Sequence, residues 1–252
     1  MKPILSWRLP PELKGFVLAG LLLMPLNSDA VNNPIPENNE YVILLHGMAR
    51  TKFSMGKLES RLSGQGYQVI NDGYPSTRKP VKKIASKYLG PMVKQCKAAG
   101  AEKIHIVTHS LGGIVTRQYL QDHALPKGSR IVMISPPNQG SELADALHHL
   151  WPYKWLNGPA GQELGTEPES LPNSLKPLDA EIGVITGNRS YNPVFSWLIP
   201  GEDDGKVSVE RAKLAEMTDF LVVPSSHTFI MRHPDVLDQV VCFLENGKFA
   251  HD

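Results

Sequence analysis

Alternation of short apolar runs with helical patterns is the feature that most restricts how this 252-residue chain can fold. The runs YVILLHG, KIHIVTH, RIVMISPP, EIGVITG and DFLVVP are rich in apolar residues, as is typical of buried strands. A further strand is predicted at YQVINDGYP, and helices are predicted near 54–63, 81–99, 110–123 and 228–246. This order predicts an α/β fold, with a mostly parallel, doubly wound sheet of about six strands and helices on both faces.

Residues 1–30 have the pattern of an export signal. Three basic residues precede the apolar run GFVLAGLLLMPL, and Ser28 and Ala30 provide a small-residue cleavage site. The run is shorter than the ~20 residues of a usual membrane span, although an uncleaved anchor is the alternative. We expect export to the periplasm or the medium, or anchoring to the membrane. A linker at residues 31–40 then leads into one domain at residues 41–252.

The charge of the chain bears on nucleic-acid binding, and its cysteine content bears on disulfide formation. The chain has 26 Lys and Arg against 25 Asp and Glu, and binding to nucleic acid requires concentrated positive charge, so no nucleic-acid partner is expected. Cys96 and Cys242 could form one disulfide in an exported protein. Their predicted helices lie on opposite faces of the sheet, so we expect two free thiols.

Residues 138–178 interrupt the alternation and predict a lid-like insertion. They contain no clear strand and are dense in Pro and Gly after Gly158. A segment of this length inside a compact domain is usually functional. The spacing of Leu143, Leu147, Leu150 and Trp151 predicts one helical face, which either lines an acyl pocket, forms a lid or packs on the core.

The segment THSLG, residues 108–112, places a serine between a predicted strand and a predicted helix. It differs by one residue from G-x-S-x-G, the sharp turn that exposes a nucleophilic serine, because Thr108 stands at the first Gly. The plain alternative is that Ser110 caps the helix. Gly112 and Gly113 favour the nucleophile, since a Gly inside a helix costs up to about 1 kcal/mol relative to Ala and a cap requires neither.

Three more polar loops follow predicted strands, where ligands bind in parallel α/β sheets. They are HGM at 46–48, GEDDGKVSV at 201–209 and SSH at 225–227. Together with Ser110 they give the order serine, acid, histidine. A serine hydroxyl needs a base to accept its proton, and His227 is the predicted base because the loop after the last strand can reach a central strand.

This order and the motifs VILLHG, VTHSLGG and DGKV resemble the α/β-hydrolase superfamily. The likeness is to its lipase-like branch, meaning small bacterial lipases and the group related to GPI inositol deacylases, and it runs from about Tyr41 to Glu245. It implies the α/β-hydrolase fold and a Ser-His-Asp triad. In this resemblance Asp204 is the acid, with Asp203 as the neighbouring alternative and Glu202 as a more distant one.

The resemblance also implies an oxyanion hole. Its donors would be the backbone N–H groups of Met48 and of Leu111, the residue after the nucleophile. Gly47 would let the backbone turn closely past the substrate, and Gly112 would keep the helix side of the turn open.

The motifs together predict a serine hydrolase that cleaves carboxylic esters with hydrophobic acyl chains, such as a glyceride or phospholipid, through an acyl-enzyme intermediate. The mechanism requires no metal and no cofactor. An acyltransferase, amidase or thioesterase would use the same triad, and a noncatalytic binding module would retain the fold. Membrane association is expected through the N-terminus or the insertion, and the sequence predicts no oligomeric state.

Overall fold

A computed structural model describes residues 39–251, so the predicted signal segment 1–30 and most of the predicted linker 31–40 lie outside the described residues. Six strands form one sheet in the order β2-β1-β3-β4-β5-β6, and all neighbouring strands are parallel. The predicted parallel α/β sheet is confirmed. The strands are β1 (Glu40–Leu45), β2 (Gln68–Ile70), β3 (Lys103–His109), β4 (Arg130–Ile134), β5 (Glu181–Gly187) and β6 (Asp219–Val223).

Helices connect the strands and cover both faces of the sheet. They are α1 (Gly56–Ser63), α2 (Val81–Ile84), α3 (Gly90–Ala98), α4 (Leu111–Leu120), α5 (Glu142–Leu147), α6 (Trp151–Gln162), α7 (Leu171–Ser174), α8 (Pro193–Leu198), α9 (Val209–Ala212) and α10 (Pro234–Asn246). A π-helical segment, Ala85–Leu89, joins α2 to α3, and 3-10 helices lie at Lys52–Met55 and Ile230–Arg232. The predicted helix over 81–99 is therefore present, with a π segment inside it.

The core consists of apolar layers on the two faces of the sheet. Along β1, Ile43 and Leu45 pack towards α2, α3 and α4, while Val42 and Leu44 pack towards α1 and α10. Alternate residues of a strand point to opposite faces, so a continuous apolar run supplies both layers. Cys96 lies in the α3 layer and Cys242 on α10, and both are unpaired, as predicted.

The insertion at 138–178 contains α5, α6 and α7. The predicted single helical face through Leu143, Leu147, Leu150 and Trp151 is wrong, because α5 ends at Leu147 and α6 begins at Trp151. Leu150 between them has extended backbone, with ψ 132°. Pro152 lies in the first turn of α6, where its fixed φ and missing N–H favour a new helix start. Across residues 39–251, no helix has the length and apolar character needed to cross a bilayer.

Candidate active site

Ser110 lies on a sharp turn between β3 and α4. Its φ of 53° and ψ of −120° are unfavourable for a residue with a Cβ. Two hydrogen bonds hold the turn: the Ser110 N–H donates to Ile134 O at 2.8 Å, and the Gly113 N–H donates to Ser110 O at 2.9 Å. The Ser110 side chain forms no capping hydrogen bond to α4, so its hydroxyl is not used as a helix cap.

Two glycines allow the backbone to approach closely around Ser110. A Cβ on Gly112 would lie 2.7 Å from a carbonyl oxygen of β1, and a Cβ on Gly47 would lie 2.7 Å from the His109 ring. Neither distance is compatible with a side chain. Thr108 is fully buried, and its Oγ1 lies 3.5 Å from the Cβ position of Gly113, so the branched side chain fits where the motif usually has Gly.

His227 links the serine to a carboxylate. Its Nε2 lies 3.0 Å from Ser110 Oγ, and its Nδ1 lies 2.8 Å from Asp204 Oδ2. A carboxylate accepts, so Nδ1 carries the proton in this arrangement and Nε2 is left to accept from the hydroxyl. His227 and Asp204 are both buried. The structure thus brings together the three side chains that the sequence analysis selected.

The loop around Asp204 holds this carboxylate in place. Its Oδ1 accepts hydrogen bonds from the backbone N–H groups of Lys206 at 3.0 Å and Val207 at 2.9 Å, while its Oδ2 faces His227. The backbone N–H of His227 also donates to the backbone carbonyl of Asp204 at 2.9 Å. The loop therefore fixes the orientation of both side chains.

The other two acid candidates point elsewhere. Asp203 Oδ1 accepts from Ser196 Oγ at 3.0 Å and from the Gly205 N–H at 2.7 Å. Glu202 is exposed and lies 3.4 Å from the Asn188 amide. Neither carboxylate contacts the His227 ring, so the structure pairs the histidine with Asp204.

The Met48 and Leu111 amides are oriented by the carbonyls of their own peptide units. Gly47 O accepts from His46 Nδ1 at 2.8 Å and from the Arg50 N–H at 3.3 Å, and Ser110 O is held by α4. The C=O and N–H of a trans peptide point in opposite directions, so these bonds fix where each N–H points. Within residues 39–251 neither N–H donates to a protein acceptor, which suits the predicted role as oxyanion donors.

His46 is clamped by Tyr74 from the loop after β2. The rings stack with centroids 4.1 Å apart, and the Tyr74 N–H donates to His46 Nε2 at 3.3 Å. The Tyr74 hydroxyl donates to His46 O. Because Nε2 accepts, Nδ1 carries the proton that is donated to the Gly47 carbonyl. Burial lowers the pKa of His46, which favours this neutral form.

His109 holds the backbone of His227 in place. Its Nε2 donates to the backbone carbonyl of His227 at 3.0 Å. Burial lowers the pKa of His109 well below its usual range, and the neighbouring His227, Lys206 and Arg50 lower it further. The two motifs contain His46 and His109 but do not predict these bonds, because the partners lie on distant loops. No local pattern indicates such contacts.

A pocket of about 370 Å³ opens beside Ser110 and His227. The insertion supplies an apolar wall, so its leucines line the pocket, one of the roles that the sequence left open. The wall consists of Leu143, Leu147, Leu150, Tyr153, Leu156 and Leu164. Two cationic side chains, Arg50 and Lys206, also line the pocket, and the sequence analysis missed both. Their positions in the sequence could have indicated this, because Arg50 lies two residues after Met48 and Lys206 lies two residues after Asp204.

In the part of the chain that the structure describes, no group of three or more His, Cys, Asp or Glu side chains is arranged to hold a metal ion.

The chain is similar to known proteins in three-dimensional structure but not in sequence. No family model matches the chain, and no curated protein matches it by sequence. The mature lipase BlEst2 from Bacillus licheniformis superposes with a TM-score of 0.68 at 18% identity, over 81% of this chain and 91% of the lipase. Phospholipase PlaB from Legionella pneumophila superposes with a TM-score of 0.65 at 20% identity, over 83% of this chain.

A metagenomic carboxyl esterase, MGS0156, superposes with a TM-score of 0.59 at 14% identity, over 77% of this chain. The chain spans 60% of the length of PlaB and 66% of that of the esterase, so both contain additional segments. At these identities the likeness concerns the fold, and it agrees with the all-parallel sheet. The chain has the α/β-hydrolase fold.

Proposed function

We propose that the protein is a serine hydrolase that cleaves carboxylic esters with hydrophobic acyl chains. The observation that carries this proposal is the hydrogen-bonded series from Asp204 through His227 to Ser110, which ends beside an apolar pocket. Solved structures with the same fold include a lipase, a phospholipase and a carboxyl esterase, and this adds support.

The first half of the proposed reaction acylates the serine. His227 Nε2 takes the Ser110 proton as Oγ attacks the ester carbonyl carbon, and the carbonyl π electrons move onto oxygen. The Met48 and Leu111 N–H groups stabilise this oxyanion. Asp204 stabilises the imidazolium. The oxyanion then re-forms the carbonyl, the bond to the alcohol oxygen breaks, and His227 donates its proton to the departing alcohol.

The second half returns the enzyme to its starting state. His227 removes a proton from water as the water oxygen attacks the acyl-enzyme carbonyl. Collapse of the second tetrahedral intermediate breaks the bond to Ser110 Oγ, which receives the proton from His227. The products are a carboxylic acid and the free serine. The apolar wall of the insertion suits the acyl chain, because transfer of each buried methylene from water contributes about 0.8 kcal/mol.

A fluorophosphonate probe tests this proposal, because it reacts with an activated serine. The wild-type protein should be labelled and should hydrolyse p-nitrophenyl esters, with a preference for the longer acyl chains that fill the leucine wall. Ser110→Ala should abolish labelling and lower kcat/KM by about 10⁶-fold. Folded wild-type protein that neither reacts with the probe nor hydrolyses any ester of the series would contradict the proposal.

We also propose that the pocket mouth contacts a lipid surface. Trp151 and Trp155 on α6 are 76% and 79% exposed, and Trp197 on α8 is 85% exposed. Leu150, Leu156 and Phe195, which are near these tryptophans in the chain, line the pocket. Indole rings favour the boundary between water and lipid.

We also propose that residues 1–30 direct export, because they combine basic residues, a short apolar run and the small residues Ser28 and Ala30. Cleavage after Ala30 would give an exported chain that begins at Val31, which its intact mass measures.

A further inference from the structure

The charged side chains that line the pocket are all positive. Among the described residues that line it, the charged side chains are Arg50 and Lys206, and no Asp or Glu lines it. Arg50 follows the oxyanion residue Met48 by two positions, and Lys206 follows the acid Asp204 by two. Both cations therefore lie on the loops that build the reaction centre.

Neither cation has a counterion within residues 39–251. No carboxylate oxygen lies within 4 Å of the Arg50 guanidinium or the Lys206 ammonium, although other cations of the chain form such pairs. The nearest acid in sequence, Asp204, already binds His227 and two backbone amides. The two cations therefore lack a paired carboxylate among the described residues, and Asp204 offsets the charge of Lys206 only in part.

The two cations line the same pocket, so the charge of each acts on the other. Partial desolvation by the surrounding protein lowers the pKa of Lys206, and the charge of Arg50 lowers it further, while Asp204 opposes this only in part. Like charges held near each other are unfavourable. A bound anion removes this cost, and the guanidinium fork and the ammonium group are the donors that bind phosphate oxygens best.

We propose that Arg50 and Lys206 bind a phosphate group carried by the alcohol part of the ester substrate. This rests on the proposed function of the same site. The leucine wall takes the acyl chain, so a charged group of the substrate belongs to the other side of the scissile bond. The substrate class is then an acyl ester of a phosphate-bearing alcohol, as in a glycerophospholipid.

A matched pair of substrates tests this. Dihexanoylglycerol 3-phosphate and dihexanoylglycerol differ by one phosphate, and both are measured at monomeric concentrations. The wild-type protein should have a kcat/KM at least about tenfold higher for the phosphate ester. In Arg50→Gln/Lys206→Gln that preference should fall to about one. The preference should also weaken as salt is raised, because the cations are solvent-accessible.

The control variant removes the same charge elsewhere. Lys83 and Lys87 are exposed on the helix that contains α2 and lie outside the pocket lining. Lys83→Gln/Lys87→Gln should keep the wild-type preference. Equal loss of preference in the two double variants would assign the effect to net charge and overturn the subsite.

Labelling of Ser110 is measured in the same samples, so that two failures can be told apart. A labelled enzyme that hydrolyses both esters equally would overturn the phosphate subsite alone, whereas an unlabelled protein would overturn the proposed function. Inorganic phosphate serves as a competitor and separates the two sources of phosphate. Competition by inorganic phosphate without preference for the phosphate ester would assign the cations to a free anion and overturn the substrate class.

Discussion

Asp203 and Asp204 are adjacent in the chain, yet their side chains serve different parts of the loop. Asp204 faces His227, while Asp203 accepts from Ser196 and Gly205 and holds the shape of the loop. Sequence reasoning placed the acid in this loop by its order between serine and histidine. It could not choose between the neighbours without the resemblance, because the loop backbone decides which carboxylate points to the histidine.

Substitution of each aspartate separates these roles. Asp204→Asn removes the charge that stabilises the imidazolium and should lower kcat by about 10⁴-fold, as expected for a triad acid. Asp203→Asn keeps the side-chain volume and an acceptor oxygen, so kcat should change by less than about tenfold while the melting temperature falls. Both are measured with p-nitrophenyl butyrate and by thermal unfolding. The reverse order of the two kcat values would make Asp203 the acid.

Other contacts of the site could not be predicted from the sequence for a different reason. Tyr74, which contacts His46, comes from another loop, and Arg50 and Lys206 line one pocket from two different loops. Contacts between loops depend on strand order, and a pattern within one segment carries no information about them. Gly47 and Gly112 were predictable, since a close approach of backbone requires glycine locally.

At the scale of elements, the strands were the most predictable part. Five of the six contain long apolar runs, four of these runs are mostly buried, and β3 has the predicted bounds. The insertion was less predictable, because an apolar stripe does not show whether its residues line a pocket or face water. Trp151 has the spacing of the leucines but is exposed after the break between α5 and α6.

The exposed tryptophans of α6 and α8 predict a measurable membrane affinity. Trp155→Ser/Trp197→Ser should lower binding to phospholipid vesicles by about tenfold or more, because two indole rings leave the interface. Cosedimentation with vesicles measures this. Val222→Ser removes an exposed apolar side chain on β6, outside the pocket lining, and serves as the control. Vesicle binding that is the same for all three proteins would exclude this face as the contact surface.

At the scale of the whole molecule, buried histidines make stability depend on pH. Burial lowers the pKa of His46, His105 and His109. In the unfolded chain each takes up a proton near pH 6.5, whereas the folded chain resists this. The unfolded state therefore binds more protons below about pH 6.5, and the free energy of unfolding falls as pH decreases.

The expected loss is up to about 1.4 kcal/mol for each histidine and each pH unit below about 6.5. Urea unfolding at pH 7.5, 6.5 and 5.5 measures it. His105→Gln should make the dependence shallower by up to one proton, whereas His149→Gln, at an exposed position, serves as the control variant. Equal stability of the wild-type protein at pH 7.5 and 5.5 would contradict the assignment of these histidines as neutral.

The reaction centre draws on loops after four strands, and the imidazole comes from the loop after β6, at the edge of the sheet. A ribosome releases the nucleophile long before it releases the base. During synthesis, Ser110 thus lacks its hydrogen-bond partner His227 until the final strand has docked. For the proposed hydrolase, the onset of ester cleavage would therefore report the completion of folding.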